Sequence, residues 1–144
     1  MTVALGADHG GFALKEEVKR YLREHAYQVL DCGAFSPEPT DYPPYGKKVA
    51  ECVASGKAQK GVTICGTGIG MSIAVNRVPG IRAALCTDSF MARLARAHND
   101  AQVLALGARV VGTGLALDIL AAFLGTDFEG GRHDRRICQL DQAE

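Results

Sequence analysis

Tryptophan is absent from this chain and aromatic residues make up only 6% of it, so little is available to stack exposed bases. Sixteen basic side chains cancel sixteen acidic ones, and no net field recruits nucleic acid or an anionic membrane. No apolar run reaches the length that crosses a bilayer, and the N-terminus lacks the basic, apolar and cleavage-site series of a secretory signal. The five cysteines, Cys32, Cys52, Cys65, Cys86 and Cys138, are odd in number and include no C-x-x-C pair. They read as reduced thiols rather than a disulfide frame or a zinc site, and the expected compartment is the cytoplasm. What remains is a single domain over residues 1–144, long enough to bury a real core.

The stretch Lys60 to Val75 organises the rest. Gly61-Val62-Thr63-Ile64-Cys65 is a short β-branched and apolar run bounded by glycine, the pattern of a buried strand. Gly66-Thr67-Gly68-Ile69-Gly70 follows, and Met71 to Asn76 reads as the start of a helix. A strand that passes into a helix through such a loop presents unpaired N–H groups and the positive end of a helix dipole to an anion. Cys65 stands at the mouth of that site, where the same dipole favours a thiolate. The loop lacks the terminal G-K-[ST] of a P-loop, and Met71 stands where a dinucleotide fingerprint needs its third glycine.

Around this centre the chain alternates strand and helix. Thr2 to Ala7 reads as a first strand ending in Asp8-His9-Gly10-Gly11. A helix then carries Phe12, Leu14, Val18, Tyr21 and Leu22 on one side, with Lys15, Glu16, Lys19, Arg20 and Arg23 on the others. Glu16 is spaced to reach Arg20. Tyr27 to Cys32 is a second strand, Gly33 to Pro44 a long loop, and Tyr45 to Ser55 a helix. Ile81 to Cys86 and Gln102 to Leu106 supply two more strands. Between them runs a helix capped by Thr87 or Asp88 and ending near His98. Leu115 to Leu124 is an apolar helix, and a short C-terminal segment follows Gly130-Gly131. Five β-α units predict a doubly wound five-stranded parallel sheet with helices on both faces, a three-layer αβα sandwich. The first and third strands should be neighbours, bringing Asp8-His9-Gly10-Gly11 beside Cys65-Gly66-Thr67-Gly68.

The set G-x-D-H-G-G at Gly6 to Gly11, T-D-Y-P at Thr40 to Pro43 and I-C-G-T-G-I-G at Ile64 to Gly70 continues with R-x-H-N-D at Arg96 to Asp100. G-A-R-V-V-G at Gly107 to Gly112 and E-G-G-R-H-x-x-R at Glu129 to Arg136 complete it. In this order the motifs closely resemble the type B ribose-5-phosphate isomerases, a family shared with galactose-6-phosphate isomerase subunits. The resemblance implies a Rossmann-like homodimer, or a dimer of such dimers, that interconverts aldose and ketose phosphates through an enediolate without metal or cofactor. It makes Cys65 the base and gives the oxygen protons to Thr67. The backbone amides of Gly66, Thr67, Gly68, Ile69 and Gly70 become the anion hole. His98 opens the sugar ring, Asp8 orients hydroxyls, and Arg109, Arg132 and Arg136, with His9, hold the phosphate. The residue pattern alone puts phosphate on the glycine nest; the resemblance moves it to guanidinium forks, which suit a terminal phosphate. A branch of the family uses a glutamate just after the loop as base. Met71 stands there, and Cys65 sets this chain in the cysteine branch.

Two expectations concern assembly. His98 and Asn99 end a helix that leads into the fifth strand, and such loops lie at the sheet edge opposite the crevice. They should therefore serve a partner's site, as should Arg132 and Arg136 on the segment of about 130–144. Bland roles compete for several residues. Asp8 and Thr67 also fit helix caps, His9 a bond to a loop carbonyl, His98 a helix C-cap and Arg109 a surface charge. Tyr42 either anchors its loop by packing or closes over the sugar. His133 and Arg135 are assigned to a solvated face. Ribose 5-phosphate is the leading substrate of a pentose phosphate pathway enzyme. Allose 6-phosphate or galactose 6-phosphate is the alternative, and a non-catalytic sugar-phosphate-binding module is the reading from another class.

Overall fold

Short apolar runs between turn residues form five parallel strands: β1 (Thr2–Ala7), β2 (Gln28–Asp31), β3 (Lys60–Cys65), β4 (Ala83–Leu85) and β5 (Val103–Gly107). The helices are α1 (Phe12–Glu24), α2 (Pro43–Ala54), α3 (Ile69–Asn76), α4 (Ser89–Ala97), α5 (Thr113–Leu124) and α6 (Arg132–Asp141). This computed structural model describes residues 1–142; positions 143 and 144, the end of the segment expected to meet a partner, lie outside the described residues.

The sheet order is β2-β1-β3-β5-β4. β1 and β3 are neighbours, as the doubly wound reading requires, with Ala7 opposite Ile64. β5 lies inside β4, with Cys65 opposite Gly107. Burial explains this order. β1, β3 and β5 are buried along nearly their whole length and take the interior, while β2 and the three-residue β4 are partly exposed and form the edges. Because parallel crossovers are right-handed, each reversal of direction along the sheet moves the connecting helix to the other face. One face accordingly buries Leu14, Val18 and Leu22 of α1 with Ala92 and Ala95 of α4 and Ile119 and Phe123 of α5. The other buries Val49 and Ala50 of α2 against Val75 of α3.

Several boundaries differ from the sequence expectation. α2 begins at Pro43, because two prolines lack only N–H groups that a first helical turn leaves unbonded. α3 begins at Ile69, directly after Gly68 in the left-handed region. The C-terminal segment is a ten-residue helix, α6. Asp88 caps α4 as expected, its carboxylate accepting the Met91 N–H at 2.8 Å.

Lys15 corrects the reading of α1. It is fully buried, with Nζ donating to Asp31 Oδ2 at 2.7 Å and Oδ1 at 2.9 Å, and lies 5.5 Å from the ring centres of Phe12 and Phe35. Glu16 pairs with Lys15 and Lys19 rather than Arg20, which turns to Glu17. The reason is the Asp31 carboxylate at the end of β2, a charge on a neighbouring strand that helical spacing does not reveal. Asp31 Oδ1 also accepts the Gly33 N–H at 3.0 Å. From there the loop is stitched to the end of β1: the Ala7 N–H donates to the Gly33 carbonyl at 2.7 Å and the Ala34 N–H to that of Ala7 at 2.8 Å. Asp8 follows immediately, so this ionic anchor supports the rim of the crevice.

Burial opposes the charge on Asp31, but hydrogen bonds from Lys15, Lys19 and the Gly33 N–H outweigh it and hold its carboxyl below the usual carboxylate range. Removing one partner of such a pair leaves a buried charge uncompensated, so Asp31→Asn should lower the unfolding free energy by about 3 kcal/mol near neutral pH, read by urea denaturation. The sign for acid is that of a depressed carboxylate. Its stabilisation is complete above the unfolded value of about 3.9 and disappears as pH falls through the lower folded value. The variant should lose that part of the native acid sensitivity.

Candidate active site

The C-terminal ends of β1, β3 and β5 converge on Cys65, the last residue of β3, which is 5% exposed. Gly68 has φ 81°, a conformation glycine adopts without Cβ strain, and this folds the loop back so that the Gly68 N–H donates to Cys65 Sγ at 3.2 Å. The loop rests on the end of β5, where a Cβ on Gly107 would come within 2.5 Å of the Thr67 carbonyl oxygen. Thr67 is exposed, and its Oγ1 accepts the Ile69 N–H at 3.2 Å. The N–H groups of Gly66, Thr67 and Gly70 have no acceptor among the described residues. The arrangement is a sulfur beneath a concave set of donors at the start of α3. It suits a proton acceptor beside a developing oxyanion.

Asp8 stands beside it, its N–H donating to the Ile64 carbonyl at 3.2 Å. One carboxylate oxygen accepts the Gly11 N–H at 3.0 Å, so the capping role is present, while the other has no partner among the described residues. His9 is exposed, and its Nδ1 lies 3.1 Å from both the carbonyl oxygen and the amide nitrogen of Thr40, the loop contact expected for it, which leaves Nε2 available for a ligand. Tyr42 lies over the start of α3, where a Cβ on Gly70 would approach its ring to 2.6 Å, so it does anchor its loop by packing. The Arg109 N–H donates to the Gly66 carbonyl at 2.9 Å, and its exposed side chain runs past Gly66. Asp8, His9, Tyr42, Cys65 to Gly70 and Arg109 therefore form one cluster within a single chain.

The remaining expected residues stand elsewhere. His98 is the C-cap of α4, its N–H donating to the Leu94 carbonyl at 2.9 Å, and the Asn99 carbonyl accepts from Arg82 Nε at 2.9 Å. The chain then enters β5 at the end remote from Cys65, and five strand residues span about 16 Å. The Glu129 N–H donates to the Ala97 carbonyl at 3.0 Å, fixing the start of the C-terminal segment to the same edge. Arg132 and Arg136 are exposed on α6 there.

His133 overturns its assignment to a solvated face. It is 3% exposed and stacks on His98 with ring centres 4.2 Å apart. Burial, followed by the neighbouring His98, holds it below the usual imidazole range. Reading the C-terminal segment as a helix would have found it, since His133 and Ile137 then share one inward stripe. Arg135 is exposed as expected. With Glu129, the two imidazoles are the only trio of His, Cys, Asp or Glu among the described residues whose ligand atoms converge for a metal. Of the other thiols, burial pushes Cys32 up to about 12, with Cys52 3.9 Å away, and Cys86 up to about 11. Both stay protonated at neutral pH.

The sequence pattern of the family described as Ribose/Galactose Isomerase matches residues 3–140. Ribose-5-phosphate isomerase B of Escherichia coli is 50% identical over 142 residues, covering 99% of this chain and 95% of that protein. D-erythrulose-4-phosphate isomerase of Pectobacterium atrosepticum is 44% identical over 148 residues, covering 100% of this chain and 95% of that one. A solved structure of Clostridium thermocellum ribose-5-phosphate isomerase B superposes with a TM-score of 0.98 at 53% identity, covering 99% of this chain and 96% of that chain. With a family match that runs through both the crevice residues and the remote His98–Arg136 edge, and with near-complete overlap of sequence and fold, the chain belongs to the ribose/galactose isomerase family.

Proposed function

We propose that this protein interconverts D-ribose 5-phosphate and D-ribulose 5-phosphate through a cis-enediolate, without a cofactor, in the pentose phosphate pathway of the cytoplasm. The enzyme class, an aldose–ketose isomerase of phosphorylated sugars, follows from the family and its relatives. The observation that carries the mechanism is Cys65 Sγ held under the loop amides, 3.2 Å from the Gly68 nitrogen.

The chemistry moves one proton between neighbouring carbons. The Cys65 thiolate removes the C2 proton of the open-chain aldose, and the C1 carbonyl oxygen takes the electron pair. Within the Gly66 to Gly70 loop, the free amides of Gly66, Thr67 and Gly70 meet that charge as it forms. Thr67 passes a proton between the two oxygens, and Cys65 returns its proton to C1, completing the ketose. Asp8 holds the sugar hydroxyls through its unpartnered oxygen. His9 and Arg109 bind phosphate with Arg132 and Arg136 of a second copy, and that copy's His98 opens the ring. Met71 is fully buried and takes no part.

Two facts of arrangement support the homodimer. The catalytic set is divided between opposite edges of one sheet. Large apolar residues are exposed where α3, α4 and α5 leave the crevice edge: Ile69, Ile73, Phe90, Met91, Val110 and Leu115. The six-carbon alternative keeps a specific basis, because the family name joins ribose to galactose, while the Pectobacterium relative, named for a four-carbon phosphate, adds a shorter sugar to the comparison. Rates on D-erythrulose 4-phosphate, ribose 5-phosphate and allose 6-phosphate decide between them, and a binding module would act on none.

In heavy water the native protein should form ribulose 5-phosphate with deuterium incorporated, read by proton NMR. Cys65→Ala should reduce the rate by about 10³-fold, the scale of a lost general base; an undiminished rate would remove Cys65 from the role. Cys65→Ala and His98→Ala, each inactive alone, should recover about a quarter of native activity when unfolded and refolded together. A two-fold dimer with shared sites leaves one intact site in each hybrid. No recovery would mean that each site uses its own chain's His98.

A further inference from the structure

We propose that His98, Glu129 and His133 form a binding site for a divalent transition cation, zinc foremost, at the sheet edge remote from Cys65. Glu129 Oε1 lies 3.6 Å from His133 Nε2 and 3.8 Å from His98 Nε2, and the donor atoms of all three residues lie within 4.8 Å of one another. Two imidazole nitrogens and one carboxylate are a ligand set that zinc accepts with a fourth position left open. Calcium and magnesium prefer oxygen ligands throughout.

The independent observation is His133 Nε2. It is buried, its residue is 3% exposed, and it is the only buried side-chain nitrogen or oxygen without a hydrogen-bond partner among the described residues. An orphaned buried polar atom is costly, and a bound water or ion is one way a native fold satisfies it. This atom faces the Glu129 carboxylate and the His98 ring. The backbone holds the trio together: the Glu129 N–H donates to the Ala97 carbonyl at 3.0 Å, next to His98. Gly130 and Gly131, with φ 69° and 59°, then turn the chain into α6 and bring His133 back.

Tetrahedral zinc needs donor spacings of about 3.4 Å, so the pairs with Glu129 close by a few tenths of an ångström. The imidazole planes, now 15° apart, splay to aim both nitrogens at the ion. Arg132 and Arg136 approach His133 and oppose a cation, but both are exposed to screening solvent. A cation here would occupy the nitrogen with which His98 serves a neighbouring crevice, so the isomerase should be inhibited. That consequence rests on the function proposed above; the binding does not.

Full-length protein stripped with chelator is titrated with cobalt chloride and zinc chloride, by absorption and calorimetry. The expected result is one ion per chain, with cobalt d–d bands and no thiolate charge-transfer band. Glu129→Gln, at an exposed position that should fold normally, and His133→Gln should each weaken affinity by more than about tenfold, since even outer-shell partners contribute that much. Cys65→Ser should leave affinity unchanged. No saturable binding, a thiolate band, or affinity untouched by Glu129→Gln would overturn the site. Zinc should inhibit isomerisation by native protein and far less by Glu129→Gln. Binding without inhibition would uphold the site and remove His98 from the ring-opening role.

Discussion

The main-chain hydrogen bonds that β3 makes to β1 on one side and β5 on the other determine where each group of the crevice stands. Ala7 is in register with Ile64, so Asp8 leaves β1 level with Cys65, and the Asp8 N–H donates to the Ile64 carbonyl. Cys65 is in register with Gly107, and the ladder continues as the Ala108 N–H donates to Cys65 and the Arg109 N–H to Gly66. A slip of one residue in either pairing would turn the Cys65 side chain to the opposite face and carry Asp8 or Arg109 away. The acid, thiol, amide nest and guanidinium are thus held by backbone pairing in a buried sheet, the most rigid frame such a chain has.

Charge supplies the second support. The loop that leaves β2 is long, and without restraint Tyr42 and Thr40 would wander with it. Lys15, buried under α1, fixes Asp31, and Asp31 fixes the Gly33 amide. The Thr40 main chain in turn bonds His9 Nδ1, and the Tyr42 ring packs over Gly70. An ammonium with no exposed surface is an expensive component, stable only because carboxylates meet it directly. Its position in this chain of contacts gives a physical reason for keeping it where a methionine would pack.

Much of this is readable from residue types in order. β1, the Asp88 cap, the adjacency of β1 and β3 and the glycine loop follow from local pattern and from the handedness of crossovers. The family motifs name the site because its chemistry sits in short, glycine-marked stretches. What escapes is whatever depends on contacts across strands. Lys15 looks like a surface charge because helical spacing carries no information about Asp31. The placing of β5 inside β4 is visible only as a difference in burial, since VLAL is apolar on both faces and AAL is too short for an interior strand. His133 is lost for another reason: two glycines precede α6, and once the segment is taken as irregular its inward stripe disappears.

The proposed division of the site between the two sheet edges has a geometric consequence. In a single chain the cluster around Cys65 and the cluster of His98, His133, Arg132 and Arg136 stand about one strand length apart, facing opposite ways. No small hinge could unite them, because β3 and β5 are bonded along their length. The proposed two-fold dimer would solve this without deforming either chain, by setting the remote edge of one copy on the crevice of the other, twice. The exposed apolar residues around the crevice mouth then acquire a cover, and the basic residues of α6 acquire an anion to bind. In the proposed dimer each copy would carry half of two sites, so binding of substrate and association of chains would become linked equilibria.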